Sequence, residues 1–103
     1  MIQFTEEFIQ YLDELIDVLY LKEYFGFIES AEIYVSRIYD FIYDNIESFA
    51  RKNTPFELKR LGSHYIFFKI NPRTTWYIFF VMKNDNFLFT YILNNHCEDA
   101  KHL

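Results

Sequence analysis

Three side chains in this sequence can stack on a base or move a proton, Tyr77, Tyr91 and His96, and four cations, Lys59, Arg60, Lys69 and Arg73, can hold phosphate. Histidine exchanges a proton near neutral pH, tyrosine stacks or donates one hydrogen bond, and Lys and Arg neutralise anions. If one sheet carries them all, the combination suits single-stranded RNA, which proteins grip by stacking and by phosphate contacts. Tyr77 and Tyr91 read equally as core or interface aromatics, the commoner fate of tyrosine in strands. A second group, His96-Cys97-Glu98-Asp99 with His102, contains metal-ligand residue types. It lacks the four ligands and the spacings of a structural zinc site, so no metal is expected there. Sequence neighbours such as His96 and Cys97 also rarely face each other as nucleophile and base must. No phosphate loop, dinucleotide fingerprint or hydrolase elbow occurs, and no cofactor is expected.

The charge distribution supports an anion-binding segment. The net charge of -5 divides into -9 over residues 1–50 and +4 over residues 51–103. Between residues 51 and 83, Arg51, Lys52, Lys59, Arg60, Lys69, Arg73 and Lys83 face a single acid, Glu57. Such a stretch is either a surface for an anionic partner or a set of solvating charges between apolar strands.

The elements that must position these groups follow from periodicity. Tyr65–Ile70, Thr75–Met82 and Phe87–Leu93 are rich in aromatic and β-branched residues and predict three consecutive strands of an antiparallel meander. Asn71-Pro72-Arg73-Thr74 and Lys83-Asn84-Asp85-Asn86 supply the turns. In the first strand Ile66, Phe68 and Ile70 share a face opposite Tyr65, Phe67 and Lys69. In the second, Trp76, Ile78, Phe80 and Met82 oppose Thr75, Tyr77, Phe79 and Val81, and both sets are apolar. A sheet with helices on one face and another chain on the other would produce this pattern.

Before the meander, Phe8, Ile9, Leu12, Leu15, Ile16, Leu19 and Tyr20 form the stripe of an amphipathic helix that starts near Glu6, capped by Thr5, with Asp13, Glu14, Asp17 and Lys22 outward. Gly26 is expected to break it. Ser30 then caps a second helix whose stripe is Ala31, Tyr34, Val35, Ile38, Ile42, Ile46 and Phe49, widened by Tyr39, Phe41 and Tyr43 and ending by about Arg51. Helices so closely linked pair antiparallel. Met1–Phe4 is a candidate edge strand, and Glu98–Leu103 a candidate helical turn. The expected fold is α+β, one domain over residues 1–103, with the helix pair packed on the three-stranded antiparallel meander. At 103 residues and 51% apolar the chain can bury one core. No apolar run approaches the roughly 20 residues of a membrane span, nothing at the start reads as a signal peptide, and one cysteine allows no internal disulfide. A cytoplasmic protein is expected.

This order of elements, with Leu58-Lys59-Arg60-Leu61-Gly62-Ser63-His64-Tyr65-Ile66 leading into a meander that ends in Asn95-His96, resembles the RelE/ParE superfamily of bacterial toxins. The resemblance spans nearly the whole chain. It implies a toxin of a type II toxin–antitoxin system, held inactive by a cognate antitoxin and directed at ribosome-associated mRNA or DNA gyrase. Ribosome-dependent members carry an Arg after the aromatic residue that opens the second meander strand and a basic residue after the third. Those places hold Tyr77 and His96 here. On this reading Lys59, Arg60 and Arg73 hold phosphates, Tyr77 or Tyr91 stacks a base or donates to the scissile group, and His96 moves the proton. The antitoxin would cover some of Phe67, Phe79, Tyr77 and Tyr91. A homodimer fits as well. The alternative is a non-catalytic interaction module that keeps the toxin fold.

Overall fold

A computed structural model describes residues 1–21, 28–48 and 51–103. The expected roles of Lys22, Gly26 and Phe49 fall outside the described residues. The elements in order are β1 (Ile2–Phe4), α1 (Glu6–Leu21), α2 (Ile28–Asn45), β2 (Lys52–Asn53), a 3-10 helix (Phe56–Leu61), β3 (His64–Asn71), β4 (Thr74–Lys83), β5 (Asn86–Asn94) and a second 3-10 helix (Glu98–His102). The chain is α+β, with two helices ahead of a five-stranded mixed sheet of order β1-β5-β4-β3-β2.

The meander β3-β4-β5 is antiparallel throughout, and β1 closes one edge as a parallel partner of β5. Its register pairs Ile2 with Phe87 and Phe4 with Phe89. The chain then turns directly into α1, where Thr5 Oγ1 accepts the Phe8 N–H at 3.1 Å, the expected cap. The turn between β4 and β5 places Asn84 at a φ of 57°, a left-handed conformation that asparagine tolerates.

Both helices lay their stripes on one face of the sheet. Phe8 and Leu12 of α1 and Val35, Ile38, Ile42 and Ile46 along α2 and its C-terminal turn meet Ile66, Ile70, Trp76, Ile78, Phe80, Phe89 and Ile92 in the main core. Aromatic rings fill much of it. Phe4 lies 5.5 Å from Phe89 and 5.3 Å from Tyr39, and Phe41 stacks on Phe68 at 4.6 Å. Offset or edge contacts of this kind add about 0.5–1.5 kcal/mol beyond area burial.

Several boundaries differ from the sequence expectation. Ser30 sits in the first turn of α2 rather than before it. The helix ends at Asn45, short of Arg51, where Ser48 N–H bonds to the Asn45 carbonyl and tightens the turn. Lys52 and Asn53, just beyond the expected helix end, then pair with Tyr65 and His64 as a short edge strand. Ile9, Tyr20 and Tyr43, placed on the apolar stripes, are 41%, 43% and 57% exposed, while Tyr11 turns inward. Met82, at the end of β4, is 37% exposed, although Trp76, Ile78 and Phe80 of its face are buried.

The second face of the sheet is apolar because the chain itself covers part of it. Leu58 and Leu61 of the first 3-10 helix pack with Tyr65, Phe79 and Leu93, and Phe67, Tyr77, Ala100 and Leu103 pack around them. Phe79 is fully buried in this second core, so it is not available to a partner as expected. Gly62 makes this closure possible. A Cβ there would lie 3.0 Å from the Phe80 nitrogen and 3.1 Å from both Phe79 Cβ and the Phe80 carbonyl oxygen. The following Ser63 donates its N–H to that carbonyl at 3.1 Å.

Candidate functional site

The end of the sheet where β3 turns into β4 and β5 terminates gathers polar groups. Asn71 Oδ1 accepts the Arg73 N–H at 2.9 Å, and Asn94 Oδ1 accepts the His96 N–H at the same distance. These are matching Asx turns at the ends of β3 and β5, a local habit of asparagine. Between them Asn95 ties the two segments together. Its Oδ1 accepts the Thr75 N–H at 2.9 Å, its Nδ2 donates to the Arg73 carbonyl at 3.1 Å, and its own N–H bonds to the Thr75 carbonyl at 3.0 Å. Thr74 Oγ1 and His96 Nε2 stand 3.3 Å apart. Arg73 and His96 are both exposed at this end.

Beside them a cleft of about 550 Å³ opens between the helices and the sheet. Tyr11, Tyr34 and Trp76 give it aromatic walls, Leu15, Val18 and Leu19 an aliphatic one, and Asn71, Thr74, Asn94 and His96 a polar rim. Trp76 is almost fully buried and donates its indole N–H to the Tyr34 hydroxyl at 3.0 Å, which fixes both rings. Tyr11 meets Trp76 edge-on at 6.5 Å. Burial, and to a smaller extent Cys97 and Tyr91 nearby, push the Tyr11 phenol above its ordinary pKa, so it remains a neutral donor at physiological pH.

The other proposed site residues lie elsewhere. Tyr77 follows inward-facing Trp76, so alternation sends it to the opposite face of the sheet, against the second core and 6.1 Å from Tyr65. The sheet therefore separates Tyr77 from His96. Tyr91 sits at an irregularity where β5 pairs Tyr91 with Phe79 but Phe89 with Phe80, leaving Thr90 as the extra residue. The bulge aims Tyr91 along the sheet edge, 6.5 Å from Tyr11 and beside Thr5, Glu7 and Arg60. Lys69 is exposed on the Tyr77 side. Lys59 is exposed on the first 3-10 helix, and Arg60 there pairs with Asp99 at 3.1 Å and donates to the Glu57 carbonyl at 2.8 Å. That ion pair is about half exposed on each side and contributes little to stability.

Of the seven residues singled out in the sequence, Arg73 and His96 lie at the same end of the sheet, joined through Asn95 and Thr74. Asn71, Thr74, Asn94, Asn95, Tyr11, Tyr34 and Trp76 are the site residues that sequence reasoning missed. The repeated pattern of an asparagine at a strand end, two residues before Arg73 and again before His96, was the available signal. Among the described residues no cluster of three His, Cys, Asp or Glu is placed to hold a metal, and no helix is long and apolar enough to cross a membrane. Comparison of the chain with protein-family models, with characterised proteins and with solved structures yields no match.

Proposed function

We propose that this chain is the toxin of a type II toxin–antitoxin pair of the RelE/ParE kind and cleaves RNA at the sheet end that carries Arg73 and His96. The observation that carries the reading is the Asn95 bridge, which brings the turn bearing Arg73 to the residue before His96. The order of elements, with a short first strand, two helices and a final meander, supports the same reading.

Chemically, Thr74 orients the imidazole and His96 takes the proton from a ribose 2′-hydroxyl. The 2′-oxygen forms a bond to phosphorus, the bond from phosphorus to the 5′-oxygen breaks, and water protonates the leaving oxygen. Arg73 offsets the charge that gathers on the phosphate. The antitoxin covers the face that carries half-buried Phe67 and Tyr77, where Lys52 Nζ lies 5.4 Å over the Phe67 ring and exposed Lys69 adds a second cation. An acidic antitoxin segment complements that charge.

The experiment is expression of the chain with and without the adjacent reading frame. Growth arrest relieved by co-expression, co-purification of the two products, and cut mRNA in the arrested cells are expected. Unchanged growth and no co-purifying neighbour would refute the toxin assignment, and blocked gyrase supercoiling with intact RNA would redirect it to the other target. The position of Tyr77 across the sheet from His96 favours a second reading, an interaction module without catalysis. Partner binding with neither RNA cleavage nor gyrase inhibition selects that one.

A further inference from the structure

The cleft beside His96 has the make-up of a ring-binding pocket. Its volume, about 550 Å³, lies within the roughly 300–1,000 Å³ range of small-ligand sites. Tyr11 and Tyr34 are partly exposed and flank buried Trp76, so aromatic surface is present for a planar ligand. Among the described residues no carboxylate lines it.

The rim defines which ring would fit. Each asparagine oxygen is already committed to a backbone N–H, Asn71 to Arg73 and Asn94 to His96. That commitment fixes the amide orientation and leaves the NH₂ groups as the donors at the rim. Thr74 Oγ1, 3.3 Å from His96, adds a hydroxyl able to accept. Two donors with one acceptor complement a base edge that carries carbonyl oxygens and one N–H. They do not complement an edge that presents an exocyclic amine.

We propose that the cleft is a base-binding subsite for uracil, the RNA base whose edge offers two carbonyl oxygens flanking one N–H, which places the adjoining ribose and phosphate at His96 and Arg73. The assignment rests on the RNA reading above and goes further by naming where the base sits and which edge is read. Base selection then comes from backbone-anchored asparagines on the helix side of the sheet, and Tyr77 takes no part in it.

Trp76 is the chain's single tryptophan and lines the cleft, so its fluorescence reports occupancy. The test titrates the intact protein with uridine, guanosine, adenosine, cytidine and free ribose. Saturable change with uridine is expected, with guanosine, adenosine and cytidine about tenfold weaker and ribose silent. Asn71→Asp and Asn94→Asp keep the oxygen that receives the backbone N–H but replace the donor, and each should weaken uridine about tenfold. Val18→Phe, at a position 42% exposed, fills the cleft without entering the core and should block all four nucleosides. Equal response to all nucleosides, a response to ribose, or Asp variants that bind uridine like the parent would overturn the assignment. If uridine binds as stated while RNA stays intact, the cleavage reading fails and the subsite stands. If RNA is cut but no nucleoside is seen and Val18→Phe cuts at the parent rate, the subsite is wrong and the cleavage reading stands.

Discussion

Asn95 and Arg73 are joined across the end of the sheet, the asparagine amide donating to the arginine carbonyl at 3.1 Å while its oxygen receives the Thr75 N–H at 2.9 Å. One exposed side chain thus sets the path of the β3–β4 turn relative to the end of β5. The position of Arg73 against His96 depends on it. Both ends are surface-exposed, so water can replace the bonds if they are lost.

Asn95→Ala is therefore expected to cost about 1 kcal/mol of stability, measured by urea unfolding, and, on the proposed function, RNA cleavage falls far more. His96→Ala should abolish cleavage with a stability change within about 0.5 kcal/mol, because the ring is exposed and bonds only to Thr74 among the described residues. Arg73→Ala should instead weaken RNA binding and flatten its salt dependence by about one phosphate contact. A His96→Ala protein that still cuts at the parent rate removes that histidine from the chemistry.

The helices and the meander were legible because their signals are dense. Phe8, Leu12, Leu15 and Ile16 repeat at helical spacing, and three aromatic runs are separated by asparagine-rich turns. Which face of β4 turns inward was not legible, because Trp76, Ile78 and Phe80 are buried by helices and Phe79 by the 3-10 segments. Those segments contribute only Leu58, Leu61 and Ala100, with Leu103 after them, too few to show a period. The bulge at Thr90 leaves no trace in composition, yet it puts Phe89 and Ile92 in the same core and re-aims Tyr91. For the site, His96 and Arg73 fall at one end of the sheet because a meander returns to its first turn. Tyr77 could not be placed without the parity of Trp76, and Asn71 and Asn94 read as turn formers alone.

Thr54 is buried, and its hydroxyl has no partner among the described residues, although its N–H bonds to the Ser63 carbonyl at 3.1 Å. An unpaired buried hydroxyl costs desolvation without return. Thr54→Val keeps the shape and the backbone bond, so it should be neutral or stabilise by up to about 1 kcal/mol in chemical denaturation. A loss of more than that would mean the hydroxyl has a partner after all.

Tyr11, Tyr39 and Tyr65 all have phenol pKa values raised above the ordinary 10.0, mainly by burial. The unfolded chain then releases these protons first as pH rises. Their neutral forms favour the fold fully below the unfolded pKa, and stability is lost as pH climbs through the folded values. The urea midpoint should be level with respect to these groups from about pH 7 to pH 9 and fall beyond pH 10. Tyr11→Phe should soften that alkaline decline, and an unchanged slope in the variant would show that the Tyr11 phenol is solvated in the fold.

Gly62 is needed for close approach rather than for an unusual backbone angle. Its φ of 163° and ψ of 165° are extended values that any residue adopts, so an added methyl brings no dihedral strain. What it meets is β4. The Cβ would stand 3.0 Å from the Phe80 nitrogen and 3.1 Å from the Phe80 oxygen, backbone atoms inside a sheet that cannot rotate away. Relief requires the first 3-10 helix to lift, which would uncover Leu58 and Leu61 and stretch the bond from Ser63 N–H to the Phe80 carbonyl. Gly62→Ala is therefore expected to destabilise by about 1–3 kcal/mol, the usual range for overpacking. Faster hydrogen exchange should concentrate in residues 56–64 rather than in α1 or α2, since the helices pack on the opposite face of the sheet from Leu58 and Leu61. An alanine variant with the parent's urea midpoint would show that the seam between the 3-10 helix and β4 is looser than these distances state.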